Sequence, residues 1–340
     1  MDAKAGQPIT SSAAWTGAQM RDNESWVYRL TEDQIAELDA AVQTADAKKL
    51  DPPAIEKEDF PLPTLGPVLE SLSDEVEEGR GFQIIRGIPV TRYEYRQLRR
   101  LFWGIGLYFA TPWQQTKEGD WFIDVQNQGK NYDENMRGYH SKSDLRFHSD
   151  GTHMVALLCI QKAREGGLSS IVSSAEIYNR ILAERPDLLD VLYKGYPHDR
   201  RGAQPEGEPR LAPWNLPVFS FTEGRFICVY DRKPSEWGRE MAGNPFTAKD
   251  HEAFDFADAL TRDPDFRLDM ALEPGDIQFL NNFLVLHSRT EFVDDPDPAK
   301  QRHLLRLWFD NPRSKRRAVN KIHLYTDTPL PDGIDIRPSA

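Results

Sequence analysis

The chain has 340 residues, 39% hydrophobic and 28% charged, with 42 Lys and Arg against 54 Asp and Glu for a formal net charge of -12. This is the composition of a globular protein with ample material for a core, and its length admits one large domain or two ordinary ones. The acidic balance excludes nucleic acid as the expected partner, because sequence-independent phosphate binding draws on a basic face.

The first residues, Met1-Asp2-Ala3-Lys4-Ala5-Gly6-Gln7-Pro8, lack the apolar centre of a signal peptide, and residues 1–30 read as a loosely held arm rich in small and polar residues. A capping box, Thr31-Glu32-Asp33-Gln34, followed by Ile35, Leu38 and Val42, predicts a helix from Thr31. Val68, Leu69, Leu72 and Val76 predict a second helix over Leu65–Glu78, Gly81–Gly87 reads as a strand, and Tyr93–Phe102 returns to helical spacing. A strand is expected over Trp121–Gly129, then a polar loop over Lys130–Lys142. Loops of that length beside a site commonly shape a pocket, which makes Gln126, Asn127 and Tyr139 candidate substrate contacts against the alternative of ordinary solvated turn residues.

Val155–Ile160 is apolar on both faces and reads as a buried strand, and Gly166-Gly167-Leu168-Ser169 is a turn into another. Helices are predicted over Ser174–Leu182 and Pro186–Tyr193, and an irregular insertion over Tyr196–Pro217. Strands follow at Val218–Phe221 and Arg225–Tyr230, then a helix over Thr247–Thr261. Leu272–Asp276 is a turn into a strand over Ile277–Leu286 that ends in His287. Cys159 and Cys228 both sit inside apolar runs as small buried hydrophobes rather than a disulfide or zinc pair. No apolar run approaches the ~18 residues of a membrane span, and a reducing cytoplasm is the expected location.

The chemistry gathers at Phe147-His148-Ser149-Asp150-Gly151. On a strand, residues i and i+2 share a face, which would set the His148 imidazole beside the Asp150 carboxylate. His287 is the candidate third ligand, giving the two-histidine, one-carboxylate set of non-haem Fe(II) oxygenases. Taken singly, His-x-Asp occurs freely and His287 also reads as a satisfied structural histidine. In Gln301–Phe309, alternation places Arg302, Leu304, Arg306 and Trp308 on one side of a largely apolar strand. Two arginines there need anions, either a ligand carboxylate gripped by the guanidinium fork or internal Asp and Glu partners.

Together these motifs resemble the taurine dioxygenase/TfdA branch of the Fe(II)- and 2-oxoglutarate-dependent dioxygenases, related to clavaminate synthase and γ-butyrobetaine hydroxylase. The resemblance runs over roughly residues 81–309: His148-Ser149-Asp150, the Gly166-Gly167-Leu168-Ser169 turn, Pro274-Gly275-Asp276 with Asn282 and Leu286-His287-Ser288-Arg289, and Arg302-His303-Leu304. It implies one domain over residues 31–340 with a core at about 81–310, mainly β with flanking helices, a double-stranded β-helix or jelly roll. It further implies Fe(II) on His148, Asp150 and His287, with 2-oxoglutarate and O2 as co-substrates and Arg302 and Ser169 on the distal carboxylate of 2-oxoglutarate.

Ser169 stands where the family more often has Thr, and Arg302 lies farther past the distal histidine than in the shortest members. Arg306 is therefore a candidate either for the co-substrate role or for an anionic group of the substrate. Arg289, Trp113 and Gln115 have no role at this stage. The implied activity is oxidation of an unactivated C–H bond of a small polar, acidic or zwitterionic, amino-acid-like substrate with release of succinate and CO2. Retention of Asp150 disfavours a halogenase; desaturation, ring formation and dealkylation share the same ligands. A non-catalytic sensor of metal and 2-oxo acid, and a structural β protein, are the readings of other classes.

Overall fold

Two indoles decide what the N-terminal residues do. In the structure, a computed structural model describing residues 3–116, 118–127, 144–200, 204, 206–316 and 318, Trp15 and Trp26 are buried against Phe82. The Trp15 indole donates to the Arg80 carbonyl at 2.8 Å. Helix α1 (Gly17–Arg21) is tied to Phe266 through the Gly17 N–H, and strand β1 (Val27–Arg29) pairs in parallel with β2 (Phe82–Arg86). The expectation of a loosely held arm is corrected over residues 3–29: large aromatic faces hidden in a polar segment outweigh its composition.

Helix α2 (Glu32–Ala47) begins at the capping box, with the Thr31 hydroxyl accepting from Gln34 N and the Gln34 side chain accepting from Thr31 N. Helices α3 (Leu65–Glu78) and α4 (Tyr95–Gly106) follow. The chain continues through β3 (Thr111–Trp113), β4 (Phe122–Val125), β5 (Met154–Gln161), β6 (Glu165–Gly166), β7 (Ser169–Ser173), α5 (Ser174–Glu184) and α6 (Leu189–Lys194). Two antiparallel pairs come next, β8 (Tyr196–Asp199) with β9 (Leu211–Leu216) and β10 (Phe219–Thr222) with β11 (Arg225–Cys228). Helices α7 (Arg232–Met241) and α8 (Ala248–Arg262) lead to β12 (Leu268–Met270), β13 (Ile277–Asn281), β14 (Val285–Arg289), β15 (Phe292–Val293) and β16 (His303–Asp310).

The large sheet has the order β1-β2-β13-β5-β16-β3, with β4 also on β16, and a smaller sheet has the order β12-β7-β14. Leu305, Leu307 and Phe309 of β16 pack with Leu38, Leu69 and Phe102 of the helices, whereas Leu304 and Trp308 belong to the core on the other face of the sheet. Both faces of the large sheet are therefore covered, which is why its strands read as continuous apolar runs. The two sheets with helices outside form a double-stranded β-helix.

Two expectations need correction, and one helix was unforeseen. The apolar run Ile277–Leu286 is two strands: Asn281 turns the chain by accepting from Phe283 N through its side chain and from Leu284 N through its carbonyl, so β13 stays in the large sheet and β14 crosses to the small one. The segment Tyr196–Pro217, expected as irregular, contains the β8–β9 pair, with a register shift between Pro197 and Asp199. The polar helix α7 left no apolar stripe to read; it packs through Pro234, Ser235 and Gly238, where a Cβ would fall 1.8 Å from the Pro197 carbonyl oxygen.

The turn before β13 is held from both sides. Gly275 has φ +91, and a Cβ there would meet the Ile88 carbonyl oxygen at 1.9 Å, so only glycine fits. Asp276 takes a forked pair of hydrogen bonds from Arg86 at 2.8 and 2.6 Å.

Behind the Asp150 turn lies a buried polar knot. The His153 imidazole meets the Glu77 carboxylate at 2.7 Å, Ser314 donates to the same carboxylate, and Arg316 donates to the Glu77 main-chain carbonyl at 3.3 Å with its charge nearby. Burial alone would raise the Glu77 pKa, but His153, Ser314 and Arg316 outweigh it and bring the carboxyl from 4.5 to about 2. A depressed folded-state value means stability that is complete above the unfolded value and lost as pH falls toward the folded one. Denaturant unfolding is therefore expected to show the parent losing stability between about pH 4.5 and 2 more steeply than Glu77→Gln, which itself costs about 1–3 kcal/mol at neutral pH; equal acid slopes would contradict this role for Glu77.

Candidate metal centre

His287 is carried into the space between the sheets by β14, and His148 is paired with it through a single antiparallel bridge, N–H to carbonyl at 3.0 and 2.9 Å. His148 thus lies in an extended segment with one bridge, where a full strand was expected, because no second bridging residue flanks it. Two residues on, the Asp150 N–H donates to the Asn282 side-chain oxygen at 3.0 Å, which ties the carboxylate to the turn between β13 and β14. The two imidazole rings lie 4.5 Å apart between centroids.

The ligand atoms of His148, Asp150 and His287 all lie within 4.8 Å of one another. His148 Nε2 is 4.0 Å from Asp150 Oδ1, and His287 Nε2 is 3.9 Å from Asp150 Oδ2. One ion bonded at roughly 2.0–2.2 Å to each would bridge such gaps. His148 Nδ1 lies 2.8 Å from the Arg146 carbonyl oxygen, to which it donates, and this leaves Nε2 as the lone-pair nitrogen. Burial and the neighbouring His148 push the His287 pKa down to about 3, so its ring is neutral and able to ligate. Burial would raise the Asp150 pKa, yet Arg306, the two histidines and the Trp308 indole together hold it at about 2. Two neutral imidazoles and a carboxylate are a fitting donor set for a divalent iron.

The triad opens onto a cavity of about 210 Å³ that Ser169, Arg302, Leu304, Arg306 and Trp308 also line. The alternation expected of the last strand holds over Leu304, Arg306 and Trp308, which line the cavity together with Arg302 just before the strand. Arg302 is 6% exposed, and its guanidinium stacks 5.2 Å from the Phe292 ring centre with no hydrogen bond or ion pair among the described residues. Burial draws its pKa down to about 10, so it remains a cation. A buried cation of this kind is costly by several kcal/mol, an expense that a bidentate carboxylate would relieve. Ser169 Oγ donates to Gln278 Oε1 at 2.9 Å on the same wall.

Arg306 is held differently. Its Nε donates to Gln115 Oε1 at 2.8 Å and its Nη1 lies 3.4 Å from Asp150 Oδ2. Gln126 and Asn127 do not line the cavity; the Asn127 amide donates to Asp294 Oδ2 at 3.1 Å, while Asp294 Oδ1 accepts from the Arg302 N–H at 3.0 Å. Asn127 is thus one residue removed from Arg302. Tyr139 and the loop over residues 130–142 lie outside the described residues. Sequence reasoning missed Trp308 and Asn282 as neighbours of Asp150, and Gln115 as the partner of Arg306. Trp308 was detectable from its place on the Arg302–Arg306 face, whereas nothing local marks Gln115, whose partner is 191 positions away.

A double-stranded β-helix that converges two histidines, one carboxylate and a buried arginine on one cavity is the architecture of a non-haem iron, 2-oxo-acid-dependent oxygenase. The family model described as "Taurine catabolism dioxygenase TauD, TfdA family" matches residues 46–308, and the chain belongs to that family. It is an Fe(II)- and 2-oxoglutarate-dependent dioxygenase. Among curated relatives, it is 29% identical over 309 residues to an FR-33289 synthase of Streptomyces rubellomurinus, covering 89% of this chain and 91% of that protein. It is 31% identical over 311 residues to the taurine hydroxylase-like protein SAT17 of Stachybotrys chartarum, covering 88% and 79%. Among solved structures, an asparagine oxygenase in complex with Fe(II), 2S,3S-3-hydroxyasparagine and succinate shares the fold, with a TM-score of 0.65 at 16% identity over 85% of this chain and 95% of that one. No helix among the described residues is long and apolar enough to cross a membrane.

Proposed function

We propose that His148, Asp150 and His287 hold the iron on one side of the cavity, that Arg302 and Ser169 hold the distal carboxylate of 2-oxoglutarate, and that the enzyme hydroxylates a small acidic or zwitterionic, amino-acid-like molecule. When bound, iron and 2-oxoglutarate supply the oxidation of a C–H bond with release of succinate and CO2. The observation that carries the reading is the Arg302 guanidinium, buried and unmatched among the described residues, on the wall of the cavity that the triad enters.

The protein's own part is placement. His148, Asp150 and His287 would supply three donor atoms to the metal, fewer than a six-coordinate ion takes, which would leave room for the co-substrates. Val155, Leu157 and Leu304 make an apolar wall that limits water around the reacting carbon. Arg306 faces the cavity beside Asp150, and its charge suits an acidic group of the substrate. The asparagine oxygenase that shares the fold was solved with a hydroxylated amino acid, which supports an amino-acid-like substrate. Gln126 and Asn127 are retained as contacts for the polar end of a substrate reaching the cavity mouth. The same reading treats residues 31–340 as one oxygenase domain with its core at about 81–310, working on a small molecule in the cytoplasm.

A screen of amino acids, amino sulfonates and small mono- and dianions with Fe(II) and 2-oxoglutarate tests it, with succinate as the readout. Succinate above the substrate-free rate is expected with acidic or zwitterionic compounds, and Arg306→Leu is expected to raise KM for the best of them by about 10-fold or more, as for a lost hydrogen bond to a charged group. Stimulation confined to neutral compounds would reject the substrate class.

A further inference from the structure

Asp150 has two oxygens, and the structure treats them unequally. Oδ2 accepts from the Trp308 indole Nε1–H at 3.0 Å and from Arg306 Nη1 at 3.4 Å. Each oxygen has a ligand imidazole nearby, Oδ1 that of His148 at 4.0 Å and Oδ2 that of His287 at 3.9 Å, but Oδ1 accepts no hydrogen bond among the described residues. A carboxylate on a short side chain turns readily about its last bond, and that torsion has broad minima. Something must choose which oxygen meets a metal.

We infer that Trp308 is a positioning residue for the iron: its N–H, with Arg306, takes Oδ2 of Asp150 and leaves Oδ1 for the metal as a single-oxygen ligand. The inference rests on the reading of His148, Asp150 and His287 as the metal ligands. An indole suits the task because it is donor only and carries no charge, so it orients the carboxylate without competing as a ligand or adding to the positive field of Arg306. Its ring is fixed by its strand, where Trp308 pairs with Val155 on one side and Trp113 on the other, and it is 2% exposed.

The second donor is fixed as well. The Arg306 guanidinium carbon lies 5.0 Å from the centre of the Trp308 ring, and Gln115, wholly buried, accepts from Arg306 Nε at 2.8 Å. The Gln115 amide in turn donates to the carbonyls of Arg306 at 2.9 Å and Trp121 at 2.8 Å. On the far side the Asp150 N–H is tied to Asn282. The carboxylate is therefore gripped at its backbone and at one oxygen, a supporting shell of the kind that tunes metal ligands by roughly 10–100-fold in affinity.

The test is a titration of the metal-free protein with Co(II), followed by its visible ligand-field spectrum, in the parent, Trp308→Phe, Asp150→Ala, the double variant and His148→Ala. Trp308→Phe is expected to weaken Co(II) binding by about 10–100-fold and to alter the spectrum. In the Asp150→Ala background the same change is expected to add less than about threefold, because the carboxylate it orients is gone. A mere packing defect would leave the two effects additive, and additive losses would overturn the inference, as would parental affinity and spectrum in a folded Trp308→Phe. If Trp308→Phe does not fold, site-specific β-(3-benzothienyl)alanine at position 308, which replaces only the N–H by sulfur, gives the same comparison. Co(II) binding in the parent that survives His148→Ala unchanged would reject the ligand reading itself.

Discussion

Replacing His287 with alanine is expected to abolish 2-oxoglutarate turnover and to weaken Fe(II) binding by more than about 100-fold, beyond the 10–100-fold typical of outer-shell changes. The backbone bridge between His148 and His287 survives the substitution, so the metal-free protein keeps the connection that brings the two segments together. What is lost is a neutral nitrogen 3.9 Å from Asp150, made available by the burial that pushes the His287 pKa down to about 3. Fe(II) titration beside thermal unfolding separates the two outcomes. A folded variant that retains parental metal affinity would remove His287 from the site.

Replacing Arg302 with leucine is expected to have two effects of opposite sign. Loss of a buried, charge-assisted partner should weaken 2-oxoglutarate by about 2–5 kcal/mol, roughly 30-fold to several thousand-fold in Kd. The metal-free protein should meanwhile be as stable as the parent or more so, by up to about 4 kcal/mol, since a buried guanidinium with no hydrogen-bonded anion, only the nearby charge of Asp294, is exchanged for an apolar side chain. The stacking on Phe292 and the close approach of Gly167, where a Cβ would lie 3.3 Å from Arg302 Nε, show a cradle shaped to this one side chain. Isothermal titration with 2-oxoglutarate and denaturant unfolding of the same preparation measure both. Unchanged co-substrate affinity would assign the carboxylate to another cation.

Much of this architecture was legible because local and global preferences agree. Helix α3 has its expected limits, as its apolar residues repeat at helical spacing and pack on the sheet. The face of β16 carrying Leu304, Arg306 and Trp308 followed from alternation, and these three line the cavity with Arg302, the residue before the strand. What was illegible depends on distant partners. Nothing within Ala14-Trp15-Thr16 foretells that its indole reaches Arg80, and nothing in Gln114-Gln115 foretells a place against Arg306. The run Ile277–Leu286 misled for a different reason: both of its strands are buried on all sides, so apolar character continues through the Asn281 turn and only the turn's own hydrogen bonds divide it. For the site, His148, Asp150 and His287 could be picked out as residue types that bind iron, but their convergence depends on β14 crossing to the small sheet, which no short stretch of sequence reveals.

On the proposed reading, one cavity binds iron through the triad and 2-oxoglutarate through both the iron and Arg302. The most direct measurement is an anaerobic titration of the metal-free protein with Fe(II) and then 2-oxoglutarate, watching for the weak visible charge-transfer absorption of a 2-oxo acid chelated to Fe(II). The band is expected to appear in the parent, to be absent in His148→Ala, and to need far higher 2-oxoglutarate in Arg302→Leu. A folded, Fe(II)-loaded parent with no such band at saturating 2-oxoglutarate would contradict it.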